Sequence, residues 1–224
     1  MPAIPRPAST VVLVDDEMKV FLTKRPDTMK FLGGYYVFPG GAVETVDDIH
    51  DPNLLNTFTF DTSFELSHYI AAIRELFEEV GIFLGGSKDG TALFKKKSDL
   101  EYRRLLVSGE ISLIELLEDE SLELHFHKLQ YFGHFITPER SPIRFDTRFF
   151  LATLPKGQEP QPDPNEIDEA FWISPKEALE LYDQGKIPMV PPTVISLKGI
   201  YDYQQGYPLK MPTIHDFKIK FNPF

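Results

Sequence analysis

Arg74, Glu75, Glu78 and Glu79 form the densest set of chemically capable residues in the chain. On a helix, residues three and four apart share a face, so Glu75, Glu78 and Glu79 aim three carboxylates at one region. Arg74 lies four residues before Glu78 and can hold that carboxylate by a bidentate pair. Leu76 and Val80 are placed to anchor the opposite side of the helix in a core. Clustered carboxylate oxygens suit hard divalent cations that want octahedral oxygen ligation, Mg²⁺ or Mn²⁺. The plain alternative is a solvated helix face rich in arginine and glutamate. The full pattern Arg74-Glu75-Leu76-Phe77-Glu78-Glu79-Val80-Gly81-Ile82 argues against it, since average composition yields such a pattern by chance with a probability on the order of 10⁻⁵.

The elements that must position this set are legible in the spacing. Ile70, Ile73, Leu76, Phe77 and Val80 recur with helical period, which predicts a helix over 67–80 ended by Gly81. Upstream, an aromatic strand at Tyr35–Phe38 stops at Pro39, and Gly40-Gly41 is expected to make a tight turn that delivers the chain toward that helix. Ser9–Val14 and Val20–Lys24 read as a hairpin across the acidic turn Asp15-Asp16-Glu17. Asp47–Thr62 is polar and reads as an irregular insertion, and Lys88–Lys97 as a basic connector. Two short helices are expected around Leu100–Leu106 and Ile111–Leu117, as peripheral additions. Paired strands at Tyr131–Ile136 and Arg148–Leu154 precede a proline-rich loop, Pro155–Asn165. A strand at Glu169–Ile173 and a helix at Pro175–Gln184, capped by Ser174, follow. Residues 199–224, rich in tyrosine, phenylalanine and proline, read as a C-terminal extension.

Composition narrows the class. The 224 residues, 42% hydrophobic and 25% charged, suit one globular domain over 1–224 with room for an insertion at 48–66. A net charge of −11 excludes a non-specific nucleic-acid or anionic-membrane surface. No apolar run approaches the roughly 20 residues of a membrane helix, and Met1–Ser9, with its three prolines, does not read as a signal peptide. The absence of cysteine removes disulfides, thiolate metal sites and thiol nucleophiles, and fits a cytoplasmic location. An acidic protein can still bind phosphate, because metal ions reverse the sign of a carboxylate-lined pocket.

The helix motif together with Phe38-Pro39-Gly40-Gly41-Ala42-Val43-Glu44 resembles the Nudix family, whose box reads G-x5-E-x7-R-E-U-x-E-E-x-G-U. Two departures stand out. The glutamate six positions after the second glycine is Asp47 here, and 26 residues rather than 7 separate it from Arg74, an insertion of 19. Ala72-Ile73-Arg74-Glu75, Ile136-Thr137-Pro138-Glu139, the run Arg144–Ala152, Trp172–Leu179 and Pro191-Pro192-Thr193 are similar to the peroxisomal coenzyme A diphosphatase branch and its bacterial relatives. The resemblance implies an α/β/α Nudix sandwich with a mixed, curved sheet, the box forming strand, loop and helix.

It also implies a metal-dependent diphosphatase acting on a small nucleotide substrate, a nucleoside diphosphate linked to a group X. Coenzyme A or acyl-coenzyme A is the leading expectation; NADH, ADP-ribose or another nucleotide sugar, or a non-catalytic ligand-binding regulator, are the alternatives. An isopentenyl diphosphate isomerase would need a cysteine that the chain lacks. By resemblance Glu78 and Glu79 are metal ligands and Glu75 is a ligand or the base. Glu44, Asp47 and Glu166 are candidate further acids, though Glu166 reads equally as a solvated loop carboxylate. Arg25, Arg140, Arg144 and Arg148 are candidate substrate arginines, or else surface charges paired with acids. An arginine meets a phosphate at two points, as the extra 3′-phosphate of coenzyme A requires. The histidines read as structural, with His125 and His127 alternating as strand neighbours would. Whether the chain pairs as a homodimer stays open.

Overall fold

The computed structural model describes residues 2–48, 63–87 and 94–213. Most of the 48–66 insertion and the start of the 88–97 connector therefore lie outside the described residues, as does the end of the C-terminal extension. Seven strands form the main sheet: β1 (Arg6–Val14), β2 (Val20–Lys24), β3 (Tyr36–Val37), β4 (Gly40–Ala42), β7 (Gln130–Ile136), β8 (Phe145–Thr153) and β9 (Glu169–Ile173). Between them in the chain, β5 (Gly85–Ser87) and β6 (Leu122–Leu124) make a separate two-stranded sheet.

Strand β1 is the hinge of the architecture. Its four residues Val11–Val14 are all buried, because alternate side chains enter opposite cores: Val11 and Leu13 one, Val12 and Val14 the other. Along one edge it pairs in parallel with β8 over its whole length, from Arg6↔Phe145 to Val14↔Thr153. Along the other edge it meets β2 only at Val14↔Val20. The acidic turn between them closes on Asp15, whose Oδ1 accepts from the N–H groups of Glu17 and Lys19. Beyond that point β1 and β2 splay apart, and residues 36–42 fill the wedge: β3 pairs with β2, and β4 pairs with β1. Gly40-Gly41 therefore lies in a strand and not in the expected turn. Two residues of β4 are glycines with no strand propensity of their own, and only the long-range partners Ser9 and Thr10 make them extended.

Five helices cover the two faces. Helix α1 (Ser67–Val80), α2 (Asp99–Val107) and α3 (Leu113–Glu120) lie over one face, and α4 (Pro175–Asp183) and α5 (Pro191–Gln204) over the other. This is the expected α/β/α sandwich around a mixed sheet. Ile70, Ile73, Leu76, Phe77 and Val80, the predicted apolar stripe, are fully buried, and Gly81 ends α1 in the left-handed conformation at φ +73°. Ser174 caps α4 as expected, accepting from Glu177 N–H at 3.2 Å.

Three expectations are corrected. Helices α2 and α3 are not peripheral: Tyr102, Leu106, Leu113, Leu116 and Leu117 are buried in the same core as α1. His125 precedes and His127 lies within a short 3₁₀ turn at Phe126–Lys128, so the two do not alternate along a strand. The C-terminal extension does not begin at 199, because α5 runs through that position and buries Gly199 and Ile200. Its opening Pro191-Pro192 suits the first helical turn, where no intrahelical donor is needed.

Candidate active site

Arg74 is the buried centre of the motif; it keeps the expected contact with Glu78, through one bond, while the two-point contact goes to another acid. Its forked face meets Asp47, with Nε–Oδ1 at 2.8 Å and Nη2–Oδ2 at 2.9 Å. Nη1 donates to Glu75 Oε1 and to Glu78 Oε2, each at 2.9 Å, and Nη2 also donates to the Ala42 carbonyl of β4 at 3.0 Å. Asp47 comes from a short 3₁₀ turn at Thr45–Asp47 and also accepts from the Glu44 N–H at 2.8 Å. Fully buried and bonded in this way, Asp47 holds Arg74; it is not available as a further acid. Its chain neighbour Glu44 is the N-cap of that turn.

Two of the three glutamates, Glu75 and Glu79, reach β4 as well. Glu79 is 6% exposed, and its Oε2 accepts from the Gly40 N–H at 3.0 Å. A Cβ at residue 41 would lie against the Glu75 carboxylate, so only glycine lets that acid reach the strand. Gly40 has φ +152°, a conformation L side chains rarely adopt, and a Cβ there would also run into the Ser9 carbonyl. The two box glycines thus let helix and strand approach until backbone and carboxylate touch.

Crowding acids in a buried space has an electrostatic consequence. Burial, with the neighbouring Glu78 and Asp47, pushes Glu75 up to about 7 although Arg74 pulls the other way. Burial and the charges of Glu75 and Glu166 raise Glu79 well above the ordinary carboxylate range, opposed by the Gly40 N–H and by Arg25. Glu78 is raised by burial, against Arg74. One arginine faces Asp47, Glu75 and Glu78, so the cluster lacks positive charge. Among the described residues no three acids or histidines already converge as a ligand cage, because Arg74 Nη1 takes an oxygen from both Glu75 and Glu78. The donor set nonetheless fits a hard divalent ion: oxygen-only, anionic, partly desolvated and short of a cation.

The far end of α1 is secured by residues the sequence did not single out. Arg103 of α2 is buried and donates to the carbonyls of Glu78 and Glu79, meeting the negative end of the helix dipole. The loop 155–168 adds backbone bonds from Gln161 N to Val80 O and from Asp163 N to Glu79 O, both 2.8 Å. That docking brings Glu166 within electrostatic reach of Glu79, as Glu44 is within reach of Glu78, so both of these further acids belong to the neighbourhood of the cluster. A buried Arg on a second helix could have been guessed only from the apolar spacing of Tyr102, Leu105 and Leu106 around it.

On the other side of β4 lies a cleft of about 280 Å³. Arg6, Arg25 and Arg140 line it, with Phe31, Phe38, Phe135, Phe145 and Phe149, and no carboxylate. Of the four candidate arginines, then, two reach the cleft. Arg144 instead donates to the carbonyls of Thr137 and Ala3, and Arg148 pairs with Asp146 and lies over the Phe64 ring. Arg6 was missed because β1 begins three residues earlier than its apolar run suggests.

Comparison with known proteins agrees with this geometry. A family model described as the NUDT19 Nudix domain matches residues 60–200, and a general NUDIX domain model matches residues 4–112. A Caenorhabditis elegans protein named nudix hydrolase 7 is 32% identical over 192 residues, covering 85% of this chain and 58% of its own. A Xenopus laevis protein named acyl-coenzyme A diphosphatase NUDT19 is 27% identical, covering 82% of this chain and 60% of its own. The chain thus spans a little under two thirds of these relatives. The crystal structure of a NUDIX hydrolase from Alicyclobacillus acidocaldarius superposes with a TM-score of 0.79 at 27% identity, covering 94% of this chain and 99% of that one. The chain belongs to the Nudix family. No helix among the described residues is long and apolar enough to cross a membrane.

Proposed function

We propose that the chain is a metal-dependent diphosphatase that hydrolyses a nucleoside diphosphate linked to a second group, with coenzyme A or acyl-coenzyme A the first substrates to test. The observation that carries this reading is the pairing of two unlike surfaces across one strand. An acid cluster short of positive charge backs onto β4, and an acid-free cleft bearing three arginines opens on its other side. The relatives named acyl-coenzyme A diphosphatase support the substrate class.

Glu78 and Glu79 would hold Mg²⁺ or Mn²⁺, with Glu75 as a third ligand or as the base. Bound metal supplies charge screening for the diphosphate and acidifies a water. Water adds to one phosphorus, the bridging P–O bond breaks, and two phosphate monoesters leave, 3′,5′-ADP and phosphopantetheine in the case of coenzyme A. The proton lost by that water would go to a carboxylate of the cluster, Glu75 where it acts as the base and not as a ligand. Arg74 is a positioning residue that sets the rotamers of Glu75 and Glu78 from below, itself fixed by Asp47. Arg25 lines the cleft while its charge reaches Glu79, which places it to grip the diphosphate.

The test is a panel of coenzyme A, acetyl-coenzyme A, NADH and ADP-ribose with Mg²⁺ or Mn²⁺, products identified by mass. Cleavage of the coenzyme A thioester or thiol form to 3′,5′-ADP is expected. Turnover of NADH or ADP-ribose alone would remove the coenzyme A assignment and keep the diphosphatase; turnover of none would remove both.

A further inference from the structure

The eight arginines of the chain divide by their surroundings. Five are engaged: Arg74 with Asp47, Glu75 and Glu78; Arg103 with helix carbonyls; Arg104 with Glu110; Arg144 with the Thr137 and Ala3 carbonyls; Arg148 with Asp146. The guanidinium groups of Arg6, Arg25 and Arg140 have no ion pair and no hydrogen bond with the described residues, and Arg25 Nε is buried without a partner. These three are the arginines that line the cleft. In a chain with 34 acidic against 23 basic residues, acid partners are plentiful. Three neighbouring cations kept clear of them mark a place for an anion brought from outside.

The strand geometry separates the three into two positions. Arg6, Ala8 and Thr10 alternate along β1 and all face the cleft, opposite Phe145, Thr147 and Phe149 of β8. Thr10 pairs with Gly40, whose N–H bonds to Glu79, so this is the carboxylate end, and the charge of Arg25 acts there. Arg6 lies four residues farther along the strand, about 13 Å by backbone, a span its own side chain can shorten. Arg140 comes from the β7–β8 turn, and the backbone N–H of Arg6 bonds to Arg144 O beside that turn. The floor between the two ends is small, Ala8 and Thr147, while Phe31 and Phe145 sit 5.5 Å apart at the Arg6 end with its guanidinium 5.9 Å from the Phe145 ring.

We propose that Arg6 and Arg140 form a second anion subsite, which selects nucleotides carrying a phosphate monoester on the sugar in addition to the diphosphate that is cleaved. The subsite rests on the diphosphatase reading for its partner end, but its occupancy can be read without turnover. Arg25 takes the diphosphate, the Phe31–Phe145 surface takes the base, and the arginine pair takes the extra phosphate by charge-assisted bonds. A nucleotide without that phosphate leaves two cations facing water and binds more weakly.

Calorimetric titration with adenosine 3′,5′-bisphosphate and with adenosine 5′-monophosphate, at one ionic strength, reads the subsite as a ratio of affinities. The parent is expected to favour the bisphosphate at least tenfold. Arg6→Gln and Arg140→Gln should each lower the ratio, and together bring it near one, with the melting temperature unchanged because both side chains are exposed. Arg140→Lys keeps charge without the fork and should fall between parent and Gln variant. A parent ratio near one, or a double variant as selective as the parent, overturns the subsite. Loss of coenzyme A hydrolysis in the parent with the ratio intact would instead overturn the proposed reaction.

Discussion

The two sides of β4 are built on opposite plans. On the helix side each side chain already has a partner, although the acids outnumber the cation: Arg74 bonds Asp47, Glu75, Glu78 and the Ala42 carbonyl, and Glu79 takes the Gly40 N–H. On the cleft side the charges are open, with three arginines and no acid. A buried, bonded network resists the loss of any member, since a lost partner leaves a buried charge uncompensated. An open one costs little to leave empty when its cations are near water, and gains when a ligand arrives. The difference separates residues whose loss should affect folding or chemistry from residues whose loss should affect choice of ligand.

That division can be broken by substitution. The largest effect is expected from Glu79→Gln, which keeps size and the Gly40 contact but removes the charge proposed to hold metal. Turnover of a cleaved substrate should fall by about a hundredfold or more. The melting temperature should hold or rise, since burial and like charge already disfavour the ionised Glu79. Steady-state kinetics and thermal melting, measured together, check both halves.

Asp47→Ala comes next and acts on the helix side through stability. Removing the one carboxylate that faces the Arg74 fork should cost about 3–5 kcal/mol, seen as a lower denaturation midpoint. A loss under about 1 kcal/mol would mean that Glu75 and Glu78 satisfy Arg74 without it.

Arg103→Met keeps much of the buried bulk but drops the donors at the end of α1. A stability loss of about 1–3 kcal/mol is expected, together with faster amide exchange in 77–81. Unchanged exchange there would show that the 155–168 loop alone holds the helix end.

The smallest structural effect belongs to the open side. Arg25→Ala should leave the melting temperature within about a degree, because its guanidinium bonds nothing among the described residues, yet raise KM for a diphosphate substrate about tenfold. An equal fall in kcat at unchanged KM would move Arg25 from ligand grip to the reaction step.

How far the sequence foretold this depends on whether a signal was local. Helix α1 and its Gly81 cap were legible to the residue because a 3.6-residue apolar period and a left-handed glycine are properties of the segment itself. Strand β9 at Glu169–Ile173 was likewise bounded by proline and the Ser174 cap. Strand β4 was not, since two glycines become a strand only when Ser9 and Thr10 pair with them. Arg74 was read with Glu78 because both lie on one helix, whereas its fork meets Asp47 across the inserted segment, 27 positions away. Arg140, Arg144 and Arg148 are equal as letters in the sequence. Only the turn between β7 and β8, which sends Arg140 to the cleft and Arg144 to two carbonyls, and the alternation of β8, which leaves Arg148 beside Asp146, tell them apart. Arg103, whose function is to meet carbonyls at the end of another helix, carries no sequence motif at all.

The claim on which the rest depends is that the helix side of β4 holds a divalent ion through Glu75, Glu78 and Glu79. Electron paramagnetic resonance of free Mn²⁺ titrated with protein measures this directly, apart from any substrate. The parent should remove free Mn²⁺ from solution with at least one bound ion per chain, and Glu78→Gln/Glu79→Gln, verified as folded by its melting curve, should bind at least tenfold more weakly. Equal Mn²⁺ affinity in the parent and the double variant would contradict the account.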